Sequence, residues 1–229
     1  WSSASSACRA LAPSAGADPE GFIRAWPRVA SPPLVPELRL HLAGPVTPLW
    51  EATEKTLEET GLPPPYWAFA WPGGQAIARH VLDNLRLVEG KRVLDFAAGS
   101  GIAAVAAARA GAAHATASDL DALALAAIGL NAALNGVKVA TTGDDLTARE
   151  AAFDAILAGD VCYERPMAEL VWPWLKKCAG RGALVLLADP GRAYLPKQGL
   201  VELARYNVPT TRELEDREQR ETVVYRVIE

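Results

Sequence analysis

The stretch VLDFAAGSGIAAVAA, residues 93–107, decides the fold. An apolar run carries Asp95 and Phe96 at its end, turns through Gly99-Ser100-Gly101, and continues at once into an alanine-rich segment of helical character. Strand, glycine turn and helix in immediate succession open a βα unit. Glycines at the turn let the backbone bend sharply and come close to a ligand. The free N–H groups of the following helix favour an anionic group such as a carboxylate or phosphate.

Working outward, the same alternation continues on both sides. Helical patterns are predicted over 73–85, 102–110, 122–135, 167–178 and 196–204, and strands over 92–96, 114–118, 138–142, 153–158 and 183–188. Parallel neighbours need a crossover helix, so strictly alternating βα units imply a parallel sheet. The tail adds two β-rich runs, 206–214 and 222–228, around the charged segment EDREQRE, and reads as a hairpin. The charged run 213–221 is expected to be its solvated end. The expected fold is therefore α/β and Rossmann-like, a seven-stranded, mostly parallel sheet with one antiparallel strand, over residues 66–229. An N-terminal helical extension, 18–65, is expected to cap one face. It holds helices over 18–26 and 48–60, the second stopped by Gly61 and Pro63-Pro64-Pro65, and a short strand in LRLHLAG, 38–44. Residues 1–17, rich in Ala and Ser, are expected to lie outside the fold.

Composition narrows the classes. Half of the residues are apolar and 22% are charged, the balance of a chain with a packed core. A net charge of -4 argues against a broad phosphate-tracking surface, so no nucleic-acid partner is expected. No apolar run approaches the roughly 18 residues of a membrane span, and none resembles the core of a signal peptide. Cys8, Cys162 and Cys178 form no CxxC spacing, which points to a reducing, cytoplasmic setting. His41, His80 and His114 stand too far apart for a metal motif, and no metal is expected.

Two ligands compete for the glycine turn. Gly99, Gly101 and Ala104 satisfy the dinucleotide pattern GxGxxG/A, with Asp119 about twenty residues on, as a nicotinamide dinucleotide requires. Against it stands Asp95, inside the strand end and four residues before Gly99. An acid there repels a diphosphate and suits a ligand with a cationic amino group, such as the methionine end of S-adenosylmethionine. On this reading Asp95, Ala97, Gly99, Ser100 and Gly101 border the donor. Asp119, followed by Leu120, accepts from the ribose hydroxyls, a paired geometry that an ionised acid at a strand tip provides, while Asp121 caps the next helix. In GDDL, 143–146, an aspartate (Asp145 is preferred over Asp144) faces the adenine amino group and Leu146 packs on the ring; an ordinary turn is the alternative.

After the fourth strand of the sheet comes LAGDVCYE, 157–164, which puts Gly159, Asp160 and Tyr163 at a carboxyl strand end, where open α/β sheets bind ligands. Asp160-x-x-Tyr163, together with FAWPGGQ at 69–75, resembles the seven-strand (class I) protein lysine methyltransferases. The fuller set, YWAFAWPGGQ (66–75), LDN (82–84), GDVCYE (159–164), WLKKC (174–178) and ADPGR (188–192), resembles the electron transfer flavoprotein β-subunit lysine methyltransferases. The resemblance implies S-adenosylmethionine as cofactor and lysines of that β subunit as substrate. It also implies that Asp160 and Tyr163 shape the lysine channel and that Trp71 contacts the cofactor. A core position remains open for Trp71, and packing for Trp67. ADPGR fits a plain turn as well as a substrate-side role. The turn DFAAGSG departs from the family's usual GxGxG-like run. Lysine has a pKa of about 10.4 and arrives protonated, so Asp160 is expected to orient the amine rather than act as its base. The rival functions are a methyltransferase of the same fold acting on a ribosomal protein or small amine, and an NAD(P)-dependent oxidoreductase.

Overall fold

In the computed structural model, residues 18–25, 28–43, 65–148, 152–210, 215 and 217–229 are described. Helix α1 (Pro19–Ala25) leads into a small antiparallel pair, β1 (Arg28–Ala30) and β2 (Leu40–Leu42). A 3₁₀ turn at Tyr66–Ala68 precedes α2 (Pro72–Asp83). The main run then follows: β3 (Arg92–Phe96), α3 (Ile102–Arg109), β4 (His114–Ser118), α4 (Ala122–Leu134), β5 (Ala140–Thr142), β6 (Ala155–Gly159), α5 (Arg165–Gly180), β7 (Leu184–Asp189), β8 (Leu200–Pro209) and β9 (Gln219–Val227).

The last seven strands form one sheet in the order β5-β4-β3-β6-β7-β9-β8. β3 pairs in parallel with β4 and β6, β4 with β5, and β6 with β7. Only β9 runs against its neighbours, antiparallel to both β7 and β8. The order of the chain reverses between β3 and β6, which opens a crevice at their carboxyl ends. This is the Rossmann-like α/β arrangement expected for class I methyltransferases.

Apolar alternation explains the two-sided burial. Val93, Ala155, Leu157, Leu186 and Ala188 face one way and pack under Ala76, Ile77 and Val81 of α2 and Ala103 and Ala107 of α3. Their neighbours Leu94, Phe96, Ile156, Ala158, Val185 and Leu187 face the other way, against Val171, Trp174, Leu175 and Cys178 of α5. Central strands covered on both faces read as continuous apolar runs. Val35, Leu38 and Leu40 lie over the outer side of α2, α3 and α4, in contact with Ala78, Ile102, Val105 and Ala132. Trp67 is core, packed with Ile23, Ala124, Ala127 and Leu130.

Several expectations are corrected. Residues 196–204 are not helical: β8 begins at Leu200, after Gly199 at φ 77°. The run LVELARY has no strong period of its own, and six of the nine register pairs between β8 and β9 hold it extended. The hairpin is thus right but its first strand starts six residues earlier than the expected 206. β5 is shorter than 138–142, and β1 was missed because three residues carry no readable period. Glu215, expected in a solvated hairpin end, is buried and ion-paired. The helix expected over 48–60 lies outside the described residues.

One junction is held at backbone contact distance. A Cβ on Gly73 would lie 2.6 Å from the Ala188 carbonyl oxygen and 2.7 Å from the Asp160 nitrogen; one on Gly159 would lie 2.7 Å from the Gly74 nitrogen. The first turn of α2 therefore sits directly on the ends of β6 and β7. Gly129, exposed in α4, has nothing within 4 Å of its Cβ position. Gly73→Ala should destabilise the protein by about 1–3 kcal/mol, and Gly129→Ala should stabilise it by about 0.5–1 kcal/mol. Urea unfolding midpoints of the two variants check both signs.

Candidate active site

The crevice between β3 and β6 gathers the residues singled out in the sequence. On the β3 side the chain takes three left-handed steps, at Ala97 (φ 51°), Gly99 (φ 51°) and Gly101 (φ 73°). Ala97 stands in a conformation that costs a residue with a Cβ about 1–2 kcal/mol. That accounts for the glycine preference at this turn, and strain of this kind concentrates at functional sites. The loop is tied from several directions. Ala98 donates its N–H to the Ser118 carbonyl at 3.0 Å. Buried Ser100 has its carbonyl taken by Asn131 Nδ2 at 2.8 Å, and Asn131 Oδ1 accepts the His41 amide at 2.7 Å. Asn131 thus links the loop, α4 and β2, a support that sequence reasoning missed.

Two acids flank the loop. Asp119, at the end of β4, accepts the Gly99 amide on Oδ2 at 2.8 Å and the Asp121 amide on Oδ1 at 3.0 Å. Asp121 caps α4 through the Leu123 amide at 2.9 Å, as expected. Asp95 is buried beneath the loop, with Oδ2 accepting the Ala104 amide at 2.8 Å. Burial pushes the Asp95 carboxyl up to about 8; the nearby Asp119 adds to the shift, and amides of α3 oppose it.

The adenine-side candidates are less converged. Leu120 is largely exposed beside Asp119. Leu146 packs against the cluster around Phe96 and Trp174. Asp145 Oδ1 accepts from the Thr147 amide at 2.9 Å and from its hydroxyl at 2.6 Å, a local turn.

On the β6 side, Asp160 follows Gly159 with φ 56°. Its Oδ2 accepts the amides of Gly73 at 2.6 Å and Gly74 at 3.3 Å, at the start of α2. Its Oδ1 takes the Arg192 guanidinium at 3.3 Å, and 11% of the side chain stays open to solvent. Burial raises the Asp160 carboxyl to about 7; Arg192 and the Gly73 amide pull it down, and Asp189 and Glu215 push it up. Arg192 is gripped on both terminal nitrogens by buried Glu215, which also takes Arg220 Nε at 2.9 Å. Asp189 Oδ1 accepts the amides of Gly191 at 2.7 Å and Arg192 at 2.6 Å, folding ADPGR so that its arginine reaches Asp160. In the sequence that motif fits a plain turn as well as a substrate-side role. Glu215 was hidden inside a charged run that looked solvated.

An aromatic wall completes the crevice. Tyr163 tilts against Tyr66 with ring centroids 5.7 Å apart, and Tyr66 meets Trp71 edge-on at 5.9 Å. Trp71 Nε1 donates to the Tyr66 carbonyl at 2.8 Å. That carbonyl oxygen passes 3.7 Å from where a Cβ on Gly99 would be, so the wall rises directly over the glycine loop. Tyr66 is a site candidate that the sequence reading quoted only as part of a motif. Burial pushes the Tyr163 hydroxyl up to about 12, so it is neutral and able to donate near pH 7. Cys162, beside it, is a buried thiol also raised to about 12, as an inert cysteine should be.

The fold is that of a class I methyltransferase. A putative RNA methyltransferase from Pyrococcus horikoshii has the same fold, with a TM-score of 0.50 at 15% identity over 67% of this chain and 79% of that one. The ribosomal protein L11 methyltransferase (PrmA) family matches residues 76–178. The electron transfer flavoprotein beta subunit lysine methyltransferase of Xenopus laevis is 37% identical over 197 residues, 83% of this chain and 79% of the relative. That of Rattus norvegicus is 39% identical over 77% of this chain and 71% of the relative. The chain belongs to the electron transfer flavoprotein beta subunit lysine methyltransferases.

The buried acid gives a pH test. The folded Asp95 carboxyl, at about 8, holds its proton more tightly than the unfolded one at 3.8. Unfolding then releases that proton, so its contribution to stability is full below about pH 4 and falls away as pH rises towards about 8. Asp95→Asn keeps an acceptor for Ala104 and removes the titration. Its stability relative to wild type should rise steadily between pH 5 and about pH 8.5, measured by urea unfolding at both ends; an unchanged difference would refute the assignment.

Proposed function

We propose that the protein transfers methyl groups from S-adenosylmethionine to lysine side chains of the electron transfer flavoprotein β subunit. One observation carries the reading: the Gly99 loop with Asp119 and the pair Asp160–Tyr163 open onto the same crevice, roofed by Tyr66 and Trp71. Membership of a family named for this reaction supports the choice of substrate.

The loop fits this donor. Asp95 lies under the turn and Asp119 accepts the Gly99 amide, close enough for the Asp119 charge to help hold the proton on Asp95. A diphosphate placed there would meet the Asp119 carboxylate and would hold the proton on buried Asp95, whereas an amino-acid tail with an ammonium group meets favourable charge and draws that proton off. Asp119 would hold the ribose hydroxyls, since each of its oxygens retains a lone pair beyond the amide it accepts. Ala97, Gly99, Ser100 and Gly101 would run along the amino-acid portion, Leu120 and Leu146 beside the base, and Trp71 against the donor from above. Asp145 is bound up in its own turn and contributes shape. When bound, the donor supplies an electrophilic methyl carbon on a sulfonium, so little covalent help is required.

The chain's work is then alignment and exclusion of water. Tyr66 and Tyr163 wall the approach of the lysine stem, and aromatic faces favour a cationic or methylated amine. Asp160 Oδ1, at the partly open base of the wall, accepts an N–H of the amine and points its lone pair into the crevice. The match to the L11 methyltransferase family ends at residue 178, before Arg192, and begins after Tyr66. It therefore takes in the donor loop, Asp160 and Tyr163, and leaves out Tyr66, Trp71 and Arg192. The buried, free thiols of Cys162 and Cys178 suit a reducing compartment, and we place the reaction in the cytoplasm.

The test separates the two halves. Purified flavoprotein β subunit is incubated with methyl-labelled S-adenosylmethionine and digested for mass spectrometry; label on lysine is expected. Asp119→Ala should weaken S-adenosylhomocysteine binding by roughly tenfold or more in calorimetry, the loss of a charge-assisted hydrogen-bond pair. Asp160→Asn keeps an acceptor for Gly73; it should bind S-adenosylhomocysteine within about twofold of wild type yet lower the transfer rate about a hundredfold. An unlabelled β subunit would reject the substrate, and full transfer by Asp160→Asn would remove the role of its carboxylate.

A further inference from the structure

Asp160 is in an awkward position for its proposed task. A carboxylate that greets an incoming lysine also stabilises the ammonium form, which has no lone pair to give. The structure surrounds this acid with a charge arrangement that no alignment task explains. Arg192 lies 3.3 Å from Asp160 Oδ1, longer than the 2.7–2.9 Å usual for a charge-assisted bond. It is held there from behind by Glu215, itself held by Arg220, and from below by Asp189, whose carboxylate fixes the Arg192 amide. The guanidinium is thus fastened to the opposite side and merely presented to Asp160. The charged and titratable groups around Asp160 come from several elements. Cys162 follows it in the chain, Asp189 ends β7, Arg192 sits on the next loop, Glu215 and Arg220 stand behind that arginine, and the α2 amides of Gly73 and Gly74 meet Oδ2.

We propose that Arg192 is a positioning residue that supplies Asp160 with a fixed counter-charge, so that the acceptor lysine settles in the crevice as the neutral amine. This rests on the lysine-methyltransferase reading above. The guanidinium and the α2 N-terminus oppose the burial that raises the Asp160 carboxyl, and they offset its charge when it is ionised, leaving an oxygen that accepts a hydrogen bond without trapping an ammonium. The proton lost by lysine passes to bulk water before the amine closes into the site; no base within the crevice is needed to keep it. The cation 3.3 Å from Asp160 also repels a second cation at the same oxygen. Glu215 and Asp189 serve to hold the arginine where it is, which is why a hairpin end that reads as solvated carries a buried acid.

The experiment is a pH profile of single-turnover methylation of the flavoprotein β subunit, with S-adenosylmethionine saturating, for wild type, Arg192→Gln, Arg192→Lys and the double variant Arg192→Gln/Glu215→Gln. The rate rises with pH as the bound lysine loses its proton and the Asp160 carboxyl, at about 7, loses its own. Removing the counter-charge should move that rise at least about one pH unit to the alkaline side, so that Arg192→Gln is about tenfold slower near pH 7 and approaches wild type near pH 10. Arg192→Lys keeps the charge but not the fork; it should turn over more slowly with its rise near the wild-type position. The double variant removes the buried Glu215 charge along with its guanidinium partner, so that Asp160 is the acid that loses its counter-charge, and it should show the same alkaline shift if Arg192→Gln alone is unstable to heating. A rate lowered by one factor at every pH, with the rise unmoved in both Gln variants, would mean that the arginine is only a structural tie and would overturn the proposal. Wild-type protein that methylates no lysine at any pH would remove the underlying reading and this inference with it.

Discussion

The carboxylate of Asp160 accepts the Gly73 and Gly74 amides, and much of the crevice follows from that contact. β6 ends in Gly159, and α2 begins with two glycines, so backbone meets backbone where any side chain would intervene. An acid at a helix N-terminus is favoured by the exposed amides and the helix dipole, by about 1–2 kcal/mol in a partly buried setting. To reach those amides Asp160 takes a left-handed backbone, which aspartate tolerates better than most residues. The junction sets the height of Trp71 and Tyr66 above the sheet, and with it the roof over the Gly99 loop.

The electrostatics of the two sides differ in kind. On the β3 side, acids meet amides: Asp95 and Asp119 pin a loop whose amides point in several directions, and a ligand with a cationic tail is favoured because its charge faces Asp119 and eases the proton off buried Asp95. On the β6 side, acids meet guanidinium groups. Asp160 and Glu215 share the Arg192 guanidinium, Glu215 also takes Arg220, and Asp189 accepts the Arg192 main-chain amide, all within one partly buried network. Breaking a pair in such a network by removing one partner leaves the other charge buried and unmatched, a cost of several kcal/mol. The network is therefore kept whole or lost together, and it is poised beside the atom where an amine must shed its charge.

How much of this was legible in the sequence depended on how local the signal was. β3, the Gly99 turn and α3 were readable because strand, glycines and helix occur in one uninterrupted run. β4 with Asp119 and β6 with Asp160 were readable because each acid closes an apolar run at a strand tip. β8 was read as a helix because LVELARY has no decisive period, and only pairing with β9 makes it extended. The Arg192–Glu215 pair was not legible at all: 23 residues separate its members, and the burial of Glu215 comes from packing that no charge pattern announces. Asn131 was hidden for the same reason, its partners lying 31 and 90 residues away. The ligand class was accessible through one negative fact, an acid where a diphosphate would have to lie.

The most direct measurement is a crystal structure of the protein with S-adenosylhomocysteine and a lysine-bearing fragment of the flavoprotein β subunit. The ribose should rest on Asp119, and the lysine nitrogen should lie between the Tyr163 ring and Asp160, facing the sulfur. Homocysteine bound away from the Gly99 loop, or a lysine seated elsewhere than this crevice, would contradict the account of one shared edge.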